Sequence, residues 1–314
     1  MLDKIKRAIS DPFYALHVFK DRYLDSLRRC FLNLKFGSKL FSHAVEYRSA
    51  SDNGQYPAVV AKAVKNQRNF ENFKRFYAYR EILEHVSREQ GERYLQILTK
   101  RNDGILSNAL ESVLISDSIG NPIKFSYENI NILLSPTTLR YVKVASDLKI
   151  LFGEELNSVA EIGCGYGGQC LVNEKLLRYK RFTLFDLPFV NQLIKRYLDY
   201  TLMDGSYEVA TINEKPSGEY DLAISNYAFS ELPRELQRVY IKKVLAKSQR
   251  GYLTMNSGIG GSFDDGRLTI VELRKLLPHF ECFEESPLTG QHNYIIVWGH
   301  NPNSENDFFT RMKI

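Results

Sequence analysis

The chain has 314 residues, 44% hydrophobic and 25% charged, which is enough to bury a full core and too apolar for a disordered segment. No apolar run approaches the roughly 20 residues of a membrane-spanning helix, and no apolar block follows the first basic residues, so the sequence predicts neither a membrane span nor a secretion signal. The cysteines Cys30, Cys164, Cys170 and Cys282 have neither zinc-site spacing nor the density of a disulfide scaffold; a reducing cytoplasm and no metal centre are expected.

The net charge of +5 sits in residues 1–40, which hold nine Lys or Arg against four Asp or Glu, while the remainder balances at 33 of each. This segment sets Lys4, Lys6, Arg7, Lys20, Arg22, Arg28 and Arg29 among Phe13, Tyr14, Leu16, Phe19, Tyr23 and Leu27. It reads as an amphipathic helix whose basic face is either solvated or docked on anionic lipid at the inner face of a membrane. The balanced remainder argues against a nucleic-acid partner.

From Pro57 to Arg101, apolar residues such as Phe70, Phe73, Phe76, Tyr77, Ile82, Tyr94, Leu95 and Leu98 recur at three- and four-residue spacings, which predicts two or three helices. Residues 102–136 read as a connecting region with substrate-facing loops, punctuated by Gly104, Gly120-Asn121-Pro122 and Ser135-Pro136. Ser135-Pro136 then opens a helix that Gly153 stops.

Beyond it, short apolar strands alternate with helices. Strands are predicted at 158–162, 182–185, 207–211, 222–225 and 252–255, and helices at 169–178, 190–202, 233–246 and 269–277. This order predicts a parallel sheet with right-handed crossovers, closed by an antiparallel hairpin from 280–285 and 294–298. The expected organisation is a mainly helical, substrate-covering domain over residues 1–134 and an α/β, doubly wound Rossmann-like domain over 135–314.

The chemistry concentrates in Glu161-Ile162-Gly163-Cys164-Gly165-Tyr166-Gly167-Gly168-Gln169. A strand that ends in glycines before a helix lets backbone approach a ligand and points N–H groups at it. Asp186 follows at the end of the next strand, where a ribose-binding acid belongs. The glycines suit a nicotinamide dinucleotide as well as S-adenosylmethionine. Glu161 favours the latter, because a carboxylate there would repel a pyrophosphate but pair with the ammonium of a methionine moiety. S-adenosylhomocysteine would then be the product.

Glu161-Ile162-Gly163-Cys164-Gly165 resembles motif I of class I methyltransferases, and Phe185-Asp186-Leu187-Pro188 resembles the ribose-binding segment of plant-type small-molecule O-methyltransferases. With Ser135-Pro136 and Leu139-Arg140-Tyr141, these segments are similar to the bacterial sugar O-methyltransferase family over roughly residues 135–300. The resemblance implies methyl transfer to a hydroxyl of a sugar or glycan, a surface polysaccharide or a nucleotide sugar. On that reading Glu161, Gly163, Gly165, Tyr166, Gly167, Gln169, Asp186, Leu187 and Asn226 form the cofactor site, and Arg140, Tyr141 and Tyr227 face the acceptor.

Methyl transfer to an alcohol needs the hydroxyl aligned with the methyl and a base for its proton. Where the plant-type enzymes carry a histidine after the fourth strand, this chain has Ser230 followed by Glu231. Glu231 is one candidate base, with the alternative that it only favours a helix N-terminus. His292, in the loop before the last strand, is the other. Asn226 stands where metal-dependent relatives carry an acid, so no magnesium requirement is expected. Two rivals remain: a nucleic-acid methyltransferase, although no Asn-Pro-Pro-Tyr-type motif follows the fourth strand, and a non-catalytic scaffold in glycan assembly.

Overall fold

The computed structural model describes residues 55–314 apart from 128–129, 202–206, 214–218, 262–263, 278 and 302–308. The basic segment 1–40 and the membrane contact expected of it lie outside the described residues. Among these no helix is long and apolar enough to cross a membrane.

The first part is helical: α1 (Tyr56–Lys65), the single turns α2 (Gln67–Phe70) and α3 (Tyr77–Arg80), α4 (Arg88–Arg101) and α5 (Ile105–Ser118). A capping box starts α4, Ser87 accepting from Gln90 N–H while the Gln90 side chain accepts from Ser87 N–H. A small hairpin, β1 (Phe125–Tyr127) and β2 (Ile130–Leu134), leads into α6 (Pro136–Phe152). Pro136 at the first helical position and Gly153, in a positive-φ conformation, bound α6 as the sequence indicates.

Helix α5 corrects the expectation of a loop across 102–136. Its buried positions include Ser112, Ser116 and Asp117, while Leu114 is 42% exposed. Polar residues therefore occupy part of the inner face, and the apolar period that marks a helix is lost. Asp117 is inside because it holds the next element: its carboxylate accepts from Ser135 N–H and Thr138 Oγ1, each at 2.6 Å, at the start of α6.

The sheet contains β3 (Ser158–Ile162), β4 (Arg181–Phe185), β5 (Tyr207–Ala210), β6 (Tyr220–Asn226), β7 (Ser248–Met255), β8 (Glu281–Glu284) and β9 (Tyr294–Trp298), in the order β5-β4-β3-β6-β7-β9-β8. The five strands β3–β7 are parallel, and β9 runs antiparallel between β7 and β8. Helices α7 (Gly168–Glu174), α8 (Pro188–Tyr200), α9 (Ala228–Glu231), α10 (Arg234–Lys243) and α11 (Ile270–Leu276) connect them. This is the doubly wound Rossmann-like sheet with a terminal antiparallel hairpin that the alternation predicts. The chain order reverses between β3 and β6, and at such a switch point the carboxyl ends of the strands splay into a crevice.

One core cluster runs from the helices of the first part through α6 and α7 to β3, β4 and α8; a second fills the opposite face of the sheet. Inside the first, the Asp147 carboxylate of α6 accepts from Arg101 of α4 at 2.7 Å, Lys143 at 2.6 Å and the Tyr252 hydroxyl of β7 at 2.6 Å. This network ties the helical part to the sheet through a residue with no solvent exposure. Burial alone would raise the Asp147 pKa, but Lys143 and Arg101 outweigh it and hold the carboxyl below its usual range.

Replacing Asp147 with Asn strands two buried cations, which we expect to cost about 3–5 kcal/mol at pH 7 in denaturant unfolding. Because the folded-state pKa is depressed, the contribution is present above the unfolded value of about 3.9 and fades as pH falls through the folded one. The gap between wild type and Asp147→Asn should therefore narrow in acid, and a gap constant down to the acid limit would contradict this account.

Candidate active site at the switch point

Strand β3 is buried along its length and delivers Glu161 and Ile162 to the crevice, where Gly163, Gly165 and Gly167 all take positive φ. The glycines at 163 and 165 are demanded by close approach of the chain itself. A Cβ on Gly163 would lie 2.0 Å from that of Ala228, and one on Gly165 would lie 3.0 Å from the Leu83 methyls. Leu83 belongs to the segment after α3, so the helical part covers the turn directly.

Asp186, half-buried at the end of β4, accepts from Cys164 N–H at 2.7 Å and Gly165 N–H at 3.1 Å through one oxygen, and from Leu187 N–H at 2.8 Å through the other. These N–H groups were expected to face a ligand; the structure turns them to Asp186, so this acid shapes the turn as well as edging the crevice. Leu187 supplies its N–H and caps α8.

Glu161 is 2% exposed, and its Oε2 has no partner among the described residues. Burial, then the Asp186 charge, push its pKa well above the usual carboxylate range. On the neighbouring strand, Asn226 donates to Gln169 Oε1 at 3.3 Å, and its own buried Oδ1 is also without a donor. Gln169 is a latch: it donates to the Tyr141 carbonyl at 3.0 Å and to Asn173 Oδ1 at 2.9 Å.

Tyr166 departs from its expected role beside the cofactor. Its ring is fully buried against Phe73, Tyr141 and Tyr197, with Lys74 Nζ 4.1 Å from its centroid. Bulk and apolarity, which a stacking role would also require, here serve the packing of the helical part onto the turn.

The residues expected to face the acceptor come together. Arg140, 7% exposed, places its guanidinium carbon 5.6 Å from the Tyr141 ring centroid and 5.8 Å from that of Tyr227, within cation–π range, and its Nε has no partner among the described residues. Tyr227 follows β6 at φ 67°. Its hydroxyl bonds Glu285 at the end of β8 and lies 3.1 Å from Thr289 Oγ1. Glu285 also accepts from Thr289 N–H at 2.7 Å and Asn293 Nδ2 at 3.1 Å. Sequence reasoning missed Glu285; the available signal was a second acid, Glu285 after Glu284, where the predicted strand ends.

The candidate bases lie elsewhere on the same edge. Glu231 is exposed and accepts from Asn256 Nδ2 at 2.8 Å, whereas His292 is half-buried against Gly261. The Glu231 N–H donates to the Tyr227 carbonyl at 3.3 Å, but no side-chain hydrogen bond or ring contact among the described residues joins Glu231 or His292 to Arg140, Tyr141 or Tyr227. Ser230, at the position of the family histidine, is buried and bonds the Tyr227 carbonyl and Asn256 Oδ1. Among the described residues no cluster of His, Cys, Asp or Glu is arranged to hold a metal.

No protein-family model and no curated protein matches the chain. Among solved structures it is similar to the pyocyanin biosynthetic protein PhzM (13% identity, TM-score 0.39, covering 52% of this chain and 56% of that one). It is also similar to an O-methyltransferase family protein from Burkholderia thailandensis (12% identity, TM-score 0.39, covering 52% and 55%). The mitomycin 7-O-methyltransferase MmcR aligns at 12% identity and TM-score 0.38, covering 51% and 56%. The aligned part thus spans little more than half the length of each of these proteins.

The unpaired Glu161 sets a stability expectation. A carboxyl whose folded-state pKa is raised favours folding most below its unfolded value of about 4.3 and loses stability as pH rises from there toward the folded value. Glu161→Gln should therefore stabilise the ligand-free protein at pH 7 by about 1–3 kcal/mol, with the gain growing from pH 4 upward in thermal melts. A loss of stability at pH 7 would show that Glu161 has a partner in the folded chain.

Proposed function

We propose that the chain is an S-adenosylmethionine-dependent methyltransferase, and that it transfers the methyl group to a hydroxyl of a sugar or glycan. One observation carries the reading: two buried acceptor oxygens without donors, Glu161 Oε2 and Asn226 Oδ1, at the carboxyl ends of adjacent central strands beside the switch point. Stranded acceptors at that place call for a ligand that brings N–H groups and positive charge. The methionine ammonium of the donor meets the requirement. A dinucleotide pyrophosphate would instead face the Glu161 and Asp186 carboxyls.

Glu161 and Asn226 would hold the amino-acid end, and Asp186 and Leu187, at the mouth of β4, the ribose. The bound donor supplies a methyl on a sulfonium, which an acceptor oxygen takes by in-line displacement while the sulfur keeps the bonding pair. The chain's own part is to align that oxygen and remove its proton. Arg140, Tyr141 and Tyr227 form the aromatic and cationic surface beside the crevice that would orient the acceptor ring. We assign the proton first to His292 and, failing it, to Glu231, the acids and bases of this edge that the loops leave within reach of solvent.

Calorimetry with S-adenosylhomocysteine tests the cofactor half. Wild type should bind saturably, and Glu161→Gln should bind about ten- to a hundredfold more weakly, as expected for loss of a buried charge-assisted hydrogen bond. Its opposite effects on stability and affinity would mark Glu161 as a ligand group. No binding to wild type would overturn the reading. Labelled-methyl transfer to a panel of glycans and nucleotide sugars tests the acceptor half, and His292→Ala should lower turnover with donor affinity unchanged.

A further inference from the structure

Arg140 is a buried cation without an anion. The residue is 7% exposed, yet among the described residues no carboxylate lies within ion-pair distance of it and its side chain donates no hydrogen bond. Nε is shut off from solvent, whereas neither Nη is, so the forked end of the guanidinium stays within reach of a solute. A guanidinium keeps its proton at any ordinary pH, and a buried charge is costly unless it is paired. The rings of Tyr141 and Tyr227, with centroids 5.6 and 5.8 Å from the guanidinium carbon, offset only part of that cost.

The carboxyls around Arg140 are engaged elsewhere. Glu84, whose charge acts on Arg140, forms no ion pair with it, has Thr137 as a side-chain partner and is pushed toward its neutral form by burial. Glu285, at the hydroxyl end of the Tyr227 ring, already accepts from that hydroxyl, from Thr289 N–H at 2.7 Å and from Asn293 Nδ2 at 3.1 Å. What the fork lacks is an oxyanion from outside the chain, and the surroundings narrow its kind. Two parallel N–H groups match a planar carboxylate. Lys74, another buried cation of this region, is turned to the Ser116 carbonyl and the Tyr166 ring, while Glu84 and Glu285 would repel a doubly charged phosphate more than a singly charged carboxylate.

We infer that Arg140 is a carboxylate-binding residue and that the sugar acceptor is acidic, its carboxylate taking the two Nη groups of Arg140 beside the rings of Tyr141 and Tyr227. That the acid is a methyl acceptor rests on the proposed methyltransferase activity; that it binds does not. The place of Arg140 in the fold suits both. The carbonyl of Tyr141, the next residue, accepts from Gln169 at 3.0 Å, and Gln169 in turn accepts from Asn226 at 3.3 Å at the carboxyl end of β6. Asn226 and Tyr227 are both partly exposed at that end of the sheet. An acid held on Arg140 is therefore one hydrogen-bonded link from residues assigned to the donor.

The full chain would be titrated by calorimetry and saturation-transfer NMR with the methyl glycosides of glucuronic and galacturonic acid, with methyl glucoside and methyl galactoside, and with glucose 1-phosphate. S-adenosylhomocysteine binding would be measured in parallel, and each sugar titrated with and without it. At least one uronide should bind about tenfold or more tightly than its neutral counterpart, as expected for charge-assisted hydrogen bonds, and more tightly than glucose 1-phosphate. In Arg140→Gln that preference should disappear, and Arg140→Lys should recover only part of it, because an ammonium lacks the planar fork. If Arg140→Gln folds poorly, the wild-type comparison of uronide with neutral glycoside decides alone. Equal binding of acidic and neutral glycosides, tighter binding of glucose 1-phosphate, no uronide binding, or a uronide preference that survives in Arg140→Gln would each overturn the assignment. Uronide binding lost in Arg140→Gln, in a chain that does not bind S-adenosylhomocysteine, would uphold the site and sink the methyltransferase reading. S-adenosylhomocysteine binding without uronide binding would leave that reading standing and remove the site.

Discussion

The turn between β3 and α7 closes on one bond of its own, Gly167 N–H to the Cys164 carbonyl at 2.9 Å, and two more of its N–H groups are held by a carboxylate. Asp186 takes the N–H groups of Cys164 and Gly165, which no helix or strand could satisfy while three glycines hold positive φ. A charged acceptor of two backbone donors is stronger than a neutral one. It fixes the separation of the β3 and β4 ends, where the crevice opens. The same negative charge reaches Glu161 and helps keep that buried acid neutral. One residue thus shapes the turn and sets the electrostatics of the group beneath it. A cation arriving in the crevice would reverse the second effect without disturbing the first.

The helical part is more than a lid laid on a sheet. Helix α6 is buried along most of its length and carries polar groups inward in three directions. Thr138 meets Asp117 of α5, Lys143 and Asp147 meet Arg101 of α4 and Tyr252 of β7, and Arg140 meets Tyr141 and Tyr227. Buried networks of this kind contribute little net stability compared with an apolar core, yet each member is costly to orphan, so they hold one arrangement against its neighbours. The helix that carries Arg140 is thereby registered against both the cover and the sheet.

The sheet was legible in the sequence because parallel strands buried on both faces must be apolar throughout, and 158–162 has that signature apart from one acid. That acid stands out in the sequence by its charge, which would repel a pyrophosphate and pair with an ammonium; that its Oε2 lacks a partner is visible only in the fold. Elsewhere the signal failed for identifiable reasons. Helix α5 hides its period because Ser112, Ser116 and Asp117 are buried, Asp117 to hold the start of α6. Tyr166 could equally stack on a ligand or on neighbouring rings, and only the aromatic cluster of Phe73, Tyr141 and Tyr197 decides between them. Glu285 acquires its interest from Tyr227, 58 residues away.

Tyr227 shows how the edge of the sheet is tensioned. A bulky side chain at φ 67° costs on the order of 1–3 kcal/mol and persists only where its surroundings over-determine it. Here its N–H is fixed to the Thr254 carbonyl of β7 at 2.9 Å, its carbonyl takes the Ser230 hydroxyl, and its own hydroxyl is clamped by Glu285. Left-handed backbone at this point ends β6 abruptly and sends the ring across the crevice toward Arg140. Glu285 comes from β8, on the far side of β9, so the clamp needs the antiparallel hairpin to return the chain to the same edge. The closing hairpin therefore does more than cover a sheet edge: it supplies the anchor that holds a strained tyrosine at the end of β6, beside the switch point.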